Sequence, residues 1–564
     1  MIVVSNNWWQ DAVFYQIYPR SFQDSNGDGI GDLPGIISRV DYLDYLGVDV
    51  LWLSPVFASP NEDYGYDVSD YRRINAEYGT KEDLNELLEI LHSRDMKLVL
   101  DMVVNHTSSE HRWFKESCSD PDGPRGDFYH WHPGSEGGEA PPNRWGAFFG
   151  GSAWRWNEER GEYYLHLFAP HQPDLNWENP RVREEVYDIM DHWLNRGVDG
   201  FRLDVINLIS KPTQYPGGRE IPGKDFTDCT PHVVGGPRLE EFLGEMRKKV
   251  FDNYDMVAVG EVVAVDHNQA PGLVCGSEAP LDMLLHFEHV SLDQGEDKWD
   301  VKPFSLAEFK TVLDKWYRSL YPEGWNAFYL TSHDQSRAVS RFGDEGKYRE
   351  RSAKMLGAVL LTLPGTPFIY QGDEIGMTNV EFTAEDELKD IEAKNYFQNR
   401  IDAGEDPEKV LDILSKRSRD NSRTPMQWSS EEGAGFTESN PWIKIGASFP
   451  EVNVADQKGR EGSALEFYRR MIDLRQKYPV LKRGFFLQSV ADDEDLFVYW
   501  RRSSSTTLLI LANFSAEEQE FMHDEFIHSL DFILSNVIKK DEHPEKSFPP
   551  LRPYEARIYE QTGG

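Results

Sequence analysis

Cysteine is scarce in this sequence, which has three cysteines in 564 residues, Cys118, Cys229 and Cys275. An odd, widely spaced set offers neither a disulfide framework nor the paired spacing of a cysteine metal site. The chain also lacks any run of about 18 apolar residues, the length that a membrane-spanning helix needs. Its first residues, Met1-Ile-Val-Val-Ser, have no basic segment before a long apolar run and do not resemble a secretory signal. These absences predict a cytoplasmic protein with no membrane partner.

Basic residues are also few: 59 Lys and Arg face 97 Asp and Glu, which gives a net charge of −38. Such a field repels nucleic acids and anionic membranes, so neither is expected as a partner. Two interpretations of the charge stay open. The protein is either an ordinary acidic enzyme with a solvated surface, or a halophilic protein from a salt-rich cytoplasm that screens the self-repulsion.

What the sequence does have is a regular alternation of apolar, strand-like runs with amphipathic helical stretches. Runs that are apolar throughout are typical of strands buried on both faces of a parallel sheet. Eight strand–helix units predict an α/β fold, a (β/α)₈ TIM barrel. The predicted strands are Phe14–Tyr18, Val48–Ser54, Lys97–Val104, Gly200–Asp204, Met256–Glu261, Leu281–Leu285, Ala327–Thr331 and Pro367–Gln371.

Two segments interrupt this pattern, and a third follows it. Residues 105–172, rich in Gly, Pro, Trp and His, are too long for a loop and predict an inserted B domain after strand three. The barrel then spans 1–104 and 173–482, with a helical insertion at about 373–460. Residues 483–564 change to short alternating strands and predict a C-terminal antiparallel β-domain, a β-sandwich.

Charged side chains collect where the predicted barrel strands end. In such barrels the chemistry takes place at the carboxyl ends of the strands. Two carboxylates about 5 Å apart can perform retaining glycoside hydrolysis, and aromatic rings suit the apolar face of a sugar. The residues at these ends are Asp101, His106, Arg202, Asp204, Glu261, His333 and Asp334.

Four ordered motifs carry a family resemblance: Asp101-Met-Val-Val-Asn-His106, Gly200-Phe-Arg-Leu-Asp204, Val259-Gly-Glu261 and Ser332-His-Asp334. They resemble the signature regions of the α-amylase family of glycoside hydrolases (family 13). Further segments, such as Arg423-Thr-Pro-Met-Gln-Trp428, are similar to its oligo-1,6-glucosidase/α-glucosidase branch. The resemblance covers nearly the whole chain.

The resemblance implies a role for each matching residue. Asp204 would be the nucleophile, Glu261 the general acid/base and Asp334 the carboxylate that stabilises the transition state. Asp67 and Arg423 would pair to close the pocket behind the terminal glucose. The other implied substrate-binding residues are Tyr66, His106, Phe149, Phe168, Gln172, Arg202, Val205 and His333.

The implied activity is that of an exo-acting retaining α-glucosidase acting on short oligosaccharides. In this family a Val after the nucleophile, here Val205, tends to accompany α-1,6 activity, because its stiff branched side chain narrows the neighbouring subsite. The alternatives are an α-1,4-glucosidase (maltase or sucrase), a trehalose-6-phosphate hydrolase and a sucrose isomerase. A non-enzymatic scaffold is disfavoured because all three carboxylates are present. The protein is expected to be a monomer or a weak homo-oligomer.

An acidic loop near the start carries oxygen ligands at every second position, with glycines that let the backbone curl. Its chemistry suits a hard cation, although an acidic turn would have the same composition. The family resemblance favours a structural calcium ion, with Mg²⁺ as the alternative. The implied ligands are Asp24, Asn26, Asp28, Asp32 and the carbonyl of Ile30.

Overall fold

The structure is a computed structural model that describes residues 7–521, 530–538 and 549–561. The strands within these residues are numbered in chain order. They are β1 (Phe14–Ile17), β2 (Val50–Leu53), β3 (Phe57–Ala58), β4 (Asp70–Ile74), β5 (Lys97–Val103), β6 (Trp131–His132), β7 (Trp154–Asn157), β8 (Glu162–Leu165), β9 (Gly200–Asp204), β10 (Val257–Val262), β11 (Met283–His286), β12 (Ala327–Phe328), β13 (Thr366–Tyr370), β14 (Phe485–Ser489), β15 (Leu496–Arg502), β16 (Thr507–Asn513), β17 (Leu530–Ser535) and β18 (Ala556–Gln561).

The α-helices of the same residues are also numbered in chain order. None of them is both long and apolar enough to cross a lipid bilayer. They are α1 (Trp8–Asp11), α2 (Leu33–Ser38), α3 (Val40–Leu46), α4 (Lys81–His92), α5 (Arg112–Ser119), α6 (Pro180–Leu194), α7 (Thr230–Val233), α8 (Leu239–Lys249), α9 (Pro271–Val274), α10 (Leu306–Leu320), α11 (Ala338–Phe342), α12 (Arg349–Thr362), α13 (Ile391–Asp402), α14 (Pro407–Arg417), α15 (Val454–Gln457), α16 (Ala464–Lys477) and α17 (Pro479–Arg483).

Eight parallel strands form the barrel, and each of the eight predicted strands is confirmed. Their order is β11-β10-β9-β5-β2-β1-β13-β12, and a bridge between Leu284 and Asn326 brings the two ends of the sheet together. The strands are buried along their whole length, as the apolar runs predict. Strand β9 begins with a glycine because a Cβ on Gly200 would lie 2.3 Å from the carbonyl oxygen of Val257 on β10.

The helices cover the barrel with one apolar face each. Helix α4 begins with a capping box, in which the Thr80 hydroxyl accepts from the Asp83 N–H and the Asp83 carboxylate accepts from the Thr80 N–H. Its four leucines, at spacings of three and four, are buried against the sheet. The predicted fold class, a (β/α)₈ barrel, is therefore confirmed.

The inserted segment after β5 folds over the carboxyl ends of the barrel strands. It contains α5 and a three-stranded antiparallel sheet in the order β6-β8-β7. A bridge between His106 and Asp174 ties its two ends together where they leave and rejoin the barrel. The insertion therefore stands beside the end of the barrel at which chemistry is expected.

The C-terminal strands form a separate five-stranded antiparallel sheet in the order β14-β15-β16-β18-β17. Within the described residues this is a single sheet rather than the two sheets of a sandwich; residues 522–529 and 539–548 lie outside the description. The sheet packs on α10 and α12, away from the inserted domain. The helical insertion contributes α13 and α14 near the mouth of the barrel.

Candidate active site

One buried arginine organises the acids at the mouth of the barrel. Arg202, on β9, donates from Nη1 to Asp101 at 2.7 Å and to Asp204 at 2.6 Å. Its other terminal nitrogen, Nη2, donates to Glu261 at the end of β10. Three carboxylates thus share one guanidinium, which is itself fully buried. The arrangement holds Asp204 and Glu261 on the two terminal nitrogens of one planar group, so the two acids are neighbours at the mouth of the barrel.

Both acids lose most of their hydration in this position. Burial raises the pKa of Glu261 to about 8 and that of Asp204 to about 7, and the charge of Arg202 offsets only part of the effect. Because the two carboxylates also repel each other, the pair gives up its protons in two separate steps. Between those two steps one carboxyl group of the pair is charged and the other is neutral.

Asp334, after β12, has the opposite electrostatic setting. Its Oδ1 lies 3.1 Å from Arg419 Nη1 and 3.3 Å from Arg423 Nη2, and its Oδ2 lies 3.0 Å from His333 Nε2. Burial opposes ionisation, but these neighbours hold the pKa of Asp334 well below its usual range. Burial also lowers the pKa of His333 to about 4, so this imidazole is neutral at pH 7. The two arginines therefore supply the charge that keeps Asp334 ionised.

The proton of His333 has a defined position. Gln16 Nε2 lies 2.7 Å from His333 Nδ1, and an amide nitrogen can only donate. Nδ1 is then the acceptor, and the proton sits on Nε2, which faces Tyr66 Oη at 2.6 Å and the Asp334 carboxylate. Tyr66 in turn donates to Asp101 at 2.9 Å and stacks on His333 with 4° between the rings. Gln16, on β1, was not among the predicted residues.

The inserted domain supplies the aromatic wall of the site. His106 Nε2 lies 3.0 Å from the Tyr66 carbonyl oxygen, and its ring lies 5.2 Å from Phe168. Phe149 contacts Phe168, with 5.5 Å between the ring centroids, and the guanidinium of Arg419 lies 5.0 Å above the Phe149 ring. Flat apolar surfaces of this kind fit the ring of a sugar.

The structure does not pair Asp67 with Arg423, so the expected ion pair is wrong. The Asp67 carboxylate accepts from Ser59 Oγ at 2.8 Å and from the Glu62 N–H at 2.9 Å, and it holds its own loop. Arg423 bonds to Asp334 and to the His333 carbonyl instead. Bonds from its own loop therefore engage both oxygens of Asp67.

Asp63, four residues earlier, occupies the place that was expected for Asp67. Its Oδ2 accepts from Gln172 Nε2 at 3.0 Å, and its Oδ1 lies 3.5 Å from Arg419 Nη2. Gln172 thereby joins the same inner end of the pocket, since it also lies 3.3 Å from His106 Nε2. Asp390, at the start of α13, lies 2.5 Å from Arg419 and lowers the net charge of this region. The pocket thus ends at Asp63 and Arg419.

Sequence reasoning missed Asp63, Asp390 and Arg419. Asp63 lies in a loop whose neighbours Asn61 and Tyr64 have positive φ, 64° and 45°, which no periodic pattern encodes. For Arg419 a signal was present. A second arginine stands four residues before Arg423 in the same polar segment, and both guanidinium groups reach Asp334.

Val205, the residue after Asp204, has an unusual backbone. Its φ and ψ are 36° and 42°, in the left-handed region that a β-branched side chain rarely adopts. This turn directs the Val205 N–H to Glu261 Oε2 at 3.1 Å. The side chain packs with Trp145 and Leu208 in the cluster beneath the inserted domain and remains 6% exposed. Local strain of this kind is found mainly at functional sites.

The acidic loop at residues 24–32 curls as its glycines allow. Asp24 accepts from the N–H groups of Asn26, Gly27 and Gly29, and Asp28 accepts from that of Ile30. Asp32 caps α2. Within the ranges that the structure describes, no group of three or more His, Cys, Asp or Glu side chains is arranged as a metal site.

Comparison with known proteins places the chain among enzymes that act on sugars, which agrees with the geometry of the site. Residues 16–484 match the alpha-amylase catalytic domain family. An oligo-1,6-glucosidase of Parageobacillus thermoglucosidasius is 48% identical, with 98% of each chain covered, and a trehalose-6-phosphate hydrolase of Bacillus subtilis is 43% identical, also with 98% of each covered. Among solved structures, the trehalulose synthase MutB from Pseudomonas mesoacidophila is 40% identical over 99% of this chain and all of its own, with a TM-score of 0.94. The chain therefore belongs to the alpha-amylase family and is a glycoside hydrolase.

Proposed function

We propose that this glycoside hydrolase is an exo-acting retaining α-glucosidase, which releases glucose from the non-reducing end of short α-glucosides and prefers α-1,6 links. The observation that carries the proposal is the pairing of Asp204 and Glu261 on the two ends of Arg202. Retaining enzymes hold their two acids about 5 Å apart, whereas inverting enzymes leave about 6.5–9.5 Å for a water, and two acids bonded to one guanidinium fit the shorter separation.

The two acids then have distinct tasks. Asp204, ionised, attacks the anomeric carbon, while Glu261 donates its proton to the glycosidic oxygen as that bond breaks. The leaving sugar departs as an alcohol, and glucose stays bonded to Asp204 as an ester. Glu261, now charged, takes a proton from a water that attacks the ester, and glucose leaves with its configuration retained. Burial raises the pKa of both acids, which supports a proton held on the pair near neutral pH, as this division of roles needs.

The closed inner end of the pocket supports exo action. Asp63, Gln172 and Arg419 meet behind Asp334 and block passage of a longer chain. These groups, with His106 and the ionised Asp334, offer donors and acceptors to the hydroxyls of one terminal glucose. Starch should therefore be a poor substrate.

The α-1,6 preference is supported by Val205 and by the relatives named oligo-1,6-glucosidase. The test is a comparison of kcat/KM for isomaltose and maltose in the parent, in Val205→Ala and in Val233→Ala. Val233 is a fully buried residue of the same apolar cluster, so it controls for lost packing. We expect Val205→Ala to lower the isomaltose-to-maltose ratio by about tenfold or more, the worth of a methyl-sized change in a pocket.

The proposal is overturned if maltose is much the better substrate and the ratio is the same in Val205→Ala. Sucrose, trehalose and trehalose 6-phosphate complete the panel, because relatives carry names that fit these substrates. Conversion of sucrose to an isomeric disaccharide would indicate a sucrose isomerase. Release of β-glucose as the first product, followed by NMR, would contradict retention.

We further propose that residues 24–32 bind a structural Ca²⁺, with Mg²⁺ as the alternative. Asn26 and Asp28 lie exposed in the curl, and Asp24, Asp32 and the Ile30 carbonyl complete an oxygen-only set. Chelation should lower the melting temperature, because the ion binds the folded loop, and should change kcat much less. Asp28→Asn should reduce the response to chelator. Metal analysis that finds no divalent ion would make the loop an acidic turn.

We infer that the protein works in a cytoplasm, and that its host is halophilic. The three cysteines are free thiols, and two of them, Cys118 and Cys229, are buried. The charge of −38 supports the salt-rich setting, because such self-repulsion is tolerated best where salt screens it.

A further inference from the structure

A second cavity lies at the end of the barrel opposite to the acids. Its volume is about 740 Å³, within the range of small-ligand sites. Its wall contains residues that precede strands, among them Gln10 before β1, Asp282 before β11, Asn326 before β12 and Gly365 before β13. Because Asp204 and Glu261 lie at the other ends of their strands, the whole length of the barrel separates the cavity from the active site.

Three side chains in the cavity wall have a polar atom without a hydrogen-bond partner in the described part of the chain. They are the amide oxygens of Gln10 and Asn326 and Nη2 of Arg483. Unsatisfied polar atoms of this kind are uncommon in folded proteins, and each one costs stability until it finds a partner. The three atoms themselves have almost no accessible surface, so a ligand would bond the other polar groups of the same wall, and such amide and guanidinium groups suit hydroxyls.

Aromatic rings line the same cavity. Trp325 contacts Trp9 edge to face at 6.2 Å, and Tyr321 lies 5.1 Å from Tyr317. Tyr321 remains 46% exposed although it is a large aromatic side chain. An exposed aromatic ring can stack on the apolar face of a sugar, and polar side chains beside it can bond the sugar's hydroxyl groups.

The charges of the wall favour a neutral ligand. Arg247 is paired with Asp282 at 2.9 Å, and Arg483 is paired with Asp11 at 3.1 Å, while the remaining charges of the wall, Lys482 and Glu323, are of opposite sign. The net charge of −38 also repels anions from the whole surface. We propose that this cavity is a second carbohydrate site, which binds a short α-glucoside without cleaving it. The identity of the sugar rests on the proposed function, whereas the existence of the site does not.

Hydrogen exchange read by mass spectrometry locates the sugar directly. Full-length Asp204→Asn is used so that isomaltotriose is not consumed, and glycerol at equal concentration controls for solvent effects. We expect isomaltotriose to slow exchange in peptides from the active site and also in peptides covering 317–328. Slower exchange at the active site alone, at sugar concentrations well above its saturation, would overturn the proposal.

Variants of residues that line the cavity then test whether the slower exchange of 317–328 comes from sugar bound there. In the same Asp204→Asn background, Tyr321→Ala and Gln10→Ala should weaken protection of 317–328 about tenfold in apparent Kd and leave the active-site peptides unchanged. Phe485→Ala is the matched control, because Phe485 is an exposed ring, 42%, that contacts Tyr321 but does not line the cavity. Equal weakening by Phe485→Ala, or none by either cavity variant, would overturn the site. Protection of 317–328 in Asp204→Asn, together with no release of glucose from isomaltose by the parent protein, would uphold the site and reject the proposed function.

Discussion

A single side chain, Arg202, sets the protonation of the active site. Its guanidinium contacts Asp101, Asp204 and Glu261, and it is always charged. One positive charge among three buried acids cannot compensate all of them, so the pKa of at least one must rise. Burial raises the pKa of Glu261, and the site therefore holds the proton that the first chemical step consumes.

Removal of either acid should stop turnover without unfolding the protein. Glu261→Gln should lower kcat for isomaltose by about 10²–10⁴-fold, the usual worth of a general acid. Asp204→Asn should lower it at least as much, because no covalent ester can form. With 4-nitrophenyl α-glucoside, whose leaving group needs no proton, Glu261→Gln should still form the ester and Asp204→Asn should not. Full activity of either variant on isomaltose would contradict the assignment.

The pKa values also predict the pH profile of kcat/KM. Activity needs Asp204 ionised and Glu261 protonated, so the rate should fall below about pH 7 and above about pH 8, as a narrow bell. In Glu261→Gln the residual activity on isomaltose should lose the alkaline limb, because the titrating acid is gone. An alkaline limb that persists unchanged in that variant would assign it to another group.

Variants of Asp63 and Asp67 should have different effects, the first on substrate binding and the second on the stability of the loop. Asp63→Asn removes the charge beside Gln172 and Arg419 and should lower kcat/KM by about 10–100-fold, the worth of a charged hydrogen bond. Asp67→Asn should mainly lower the melting temperature, since its oxygens hold Ser59 and the Glu62 N–H. The reverse pattern would restore the role that the sequence gave to Asp67.

The acids of the site differ in how far the sequence alone could predict their positions. Asp204 and Glu261 could be predicted because they come at the ends of apolar strand runs. The strands of the barrel are parallel, so their carboxyl ends all lie at the same end of the barrel. Asp63 could not, because the loop from Ser59 to Asp67 turns on two residues with positive φ. Its conformation depends on contacts that appear only once the fold exists.

At the scale of elements, the barrel strands could be predicted from the sequence, whereas the structure of the insertions could not. Strand β10 is apolar up to Gly260, which made it predictable, and β12, two residues long, was also located by its apolar run. The three-stranded sheet of the inserted domain was not predicted, because its residues mix Trp, Tyr, Arg and Glu without alternation. Helix α13 was foreseen as helical, but not the contact of its Asn395 with Phe149 across the mouth of the site.

A buried ion pair joins the inserted domain to the barrel. Lys211 Nζ lies 2.7 Å from Asp174 and donates to Asn105 at 2.6 Å, and both charged side chains are fully buried. Lys211→Met should lower the free energy of unfolding by about 3–5 kcal/mol, because Asp174 would stay buried without a counter-ion. The double variant Lys211→Met with Asp174→Asn should recover most of that loss in urea unfolding. A double variant no more stable than the single one would show that the pair does more than balance charge.

At the scale of the whole molecule, net charge should govern the response to salt. With −38 charges, molar KCl should raise the melting temperature, because the Debye length shrinks to about 3 Å and self-repulsion is screened. Glycerol at equal osmolality is the uncharged control. A melting temperature that is the same at low and molar KCl would leave the halophilic interpretation without support.

Barrel closure has a consequence for synthesis of the chain on the ribosome. Strand β1 pairs with β2 on one side but with β13 on the other, where Phe14 lies opposite Phe368. At about 5–20 residues per second, a nascent chain waits tens of seconds before β13 emerges to cover that edge. An uncovered strand edge is a template for pairing with other chains. Fragments that stop before Thr366 should therefore aggregate or bind chaperones, and catalytic competence should arise only late in translation, after Arg419 and Arg423 have left the exit tunnel.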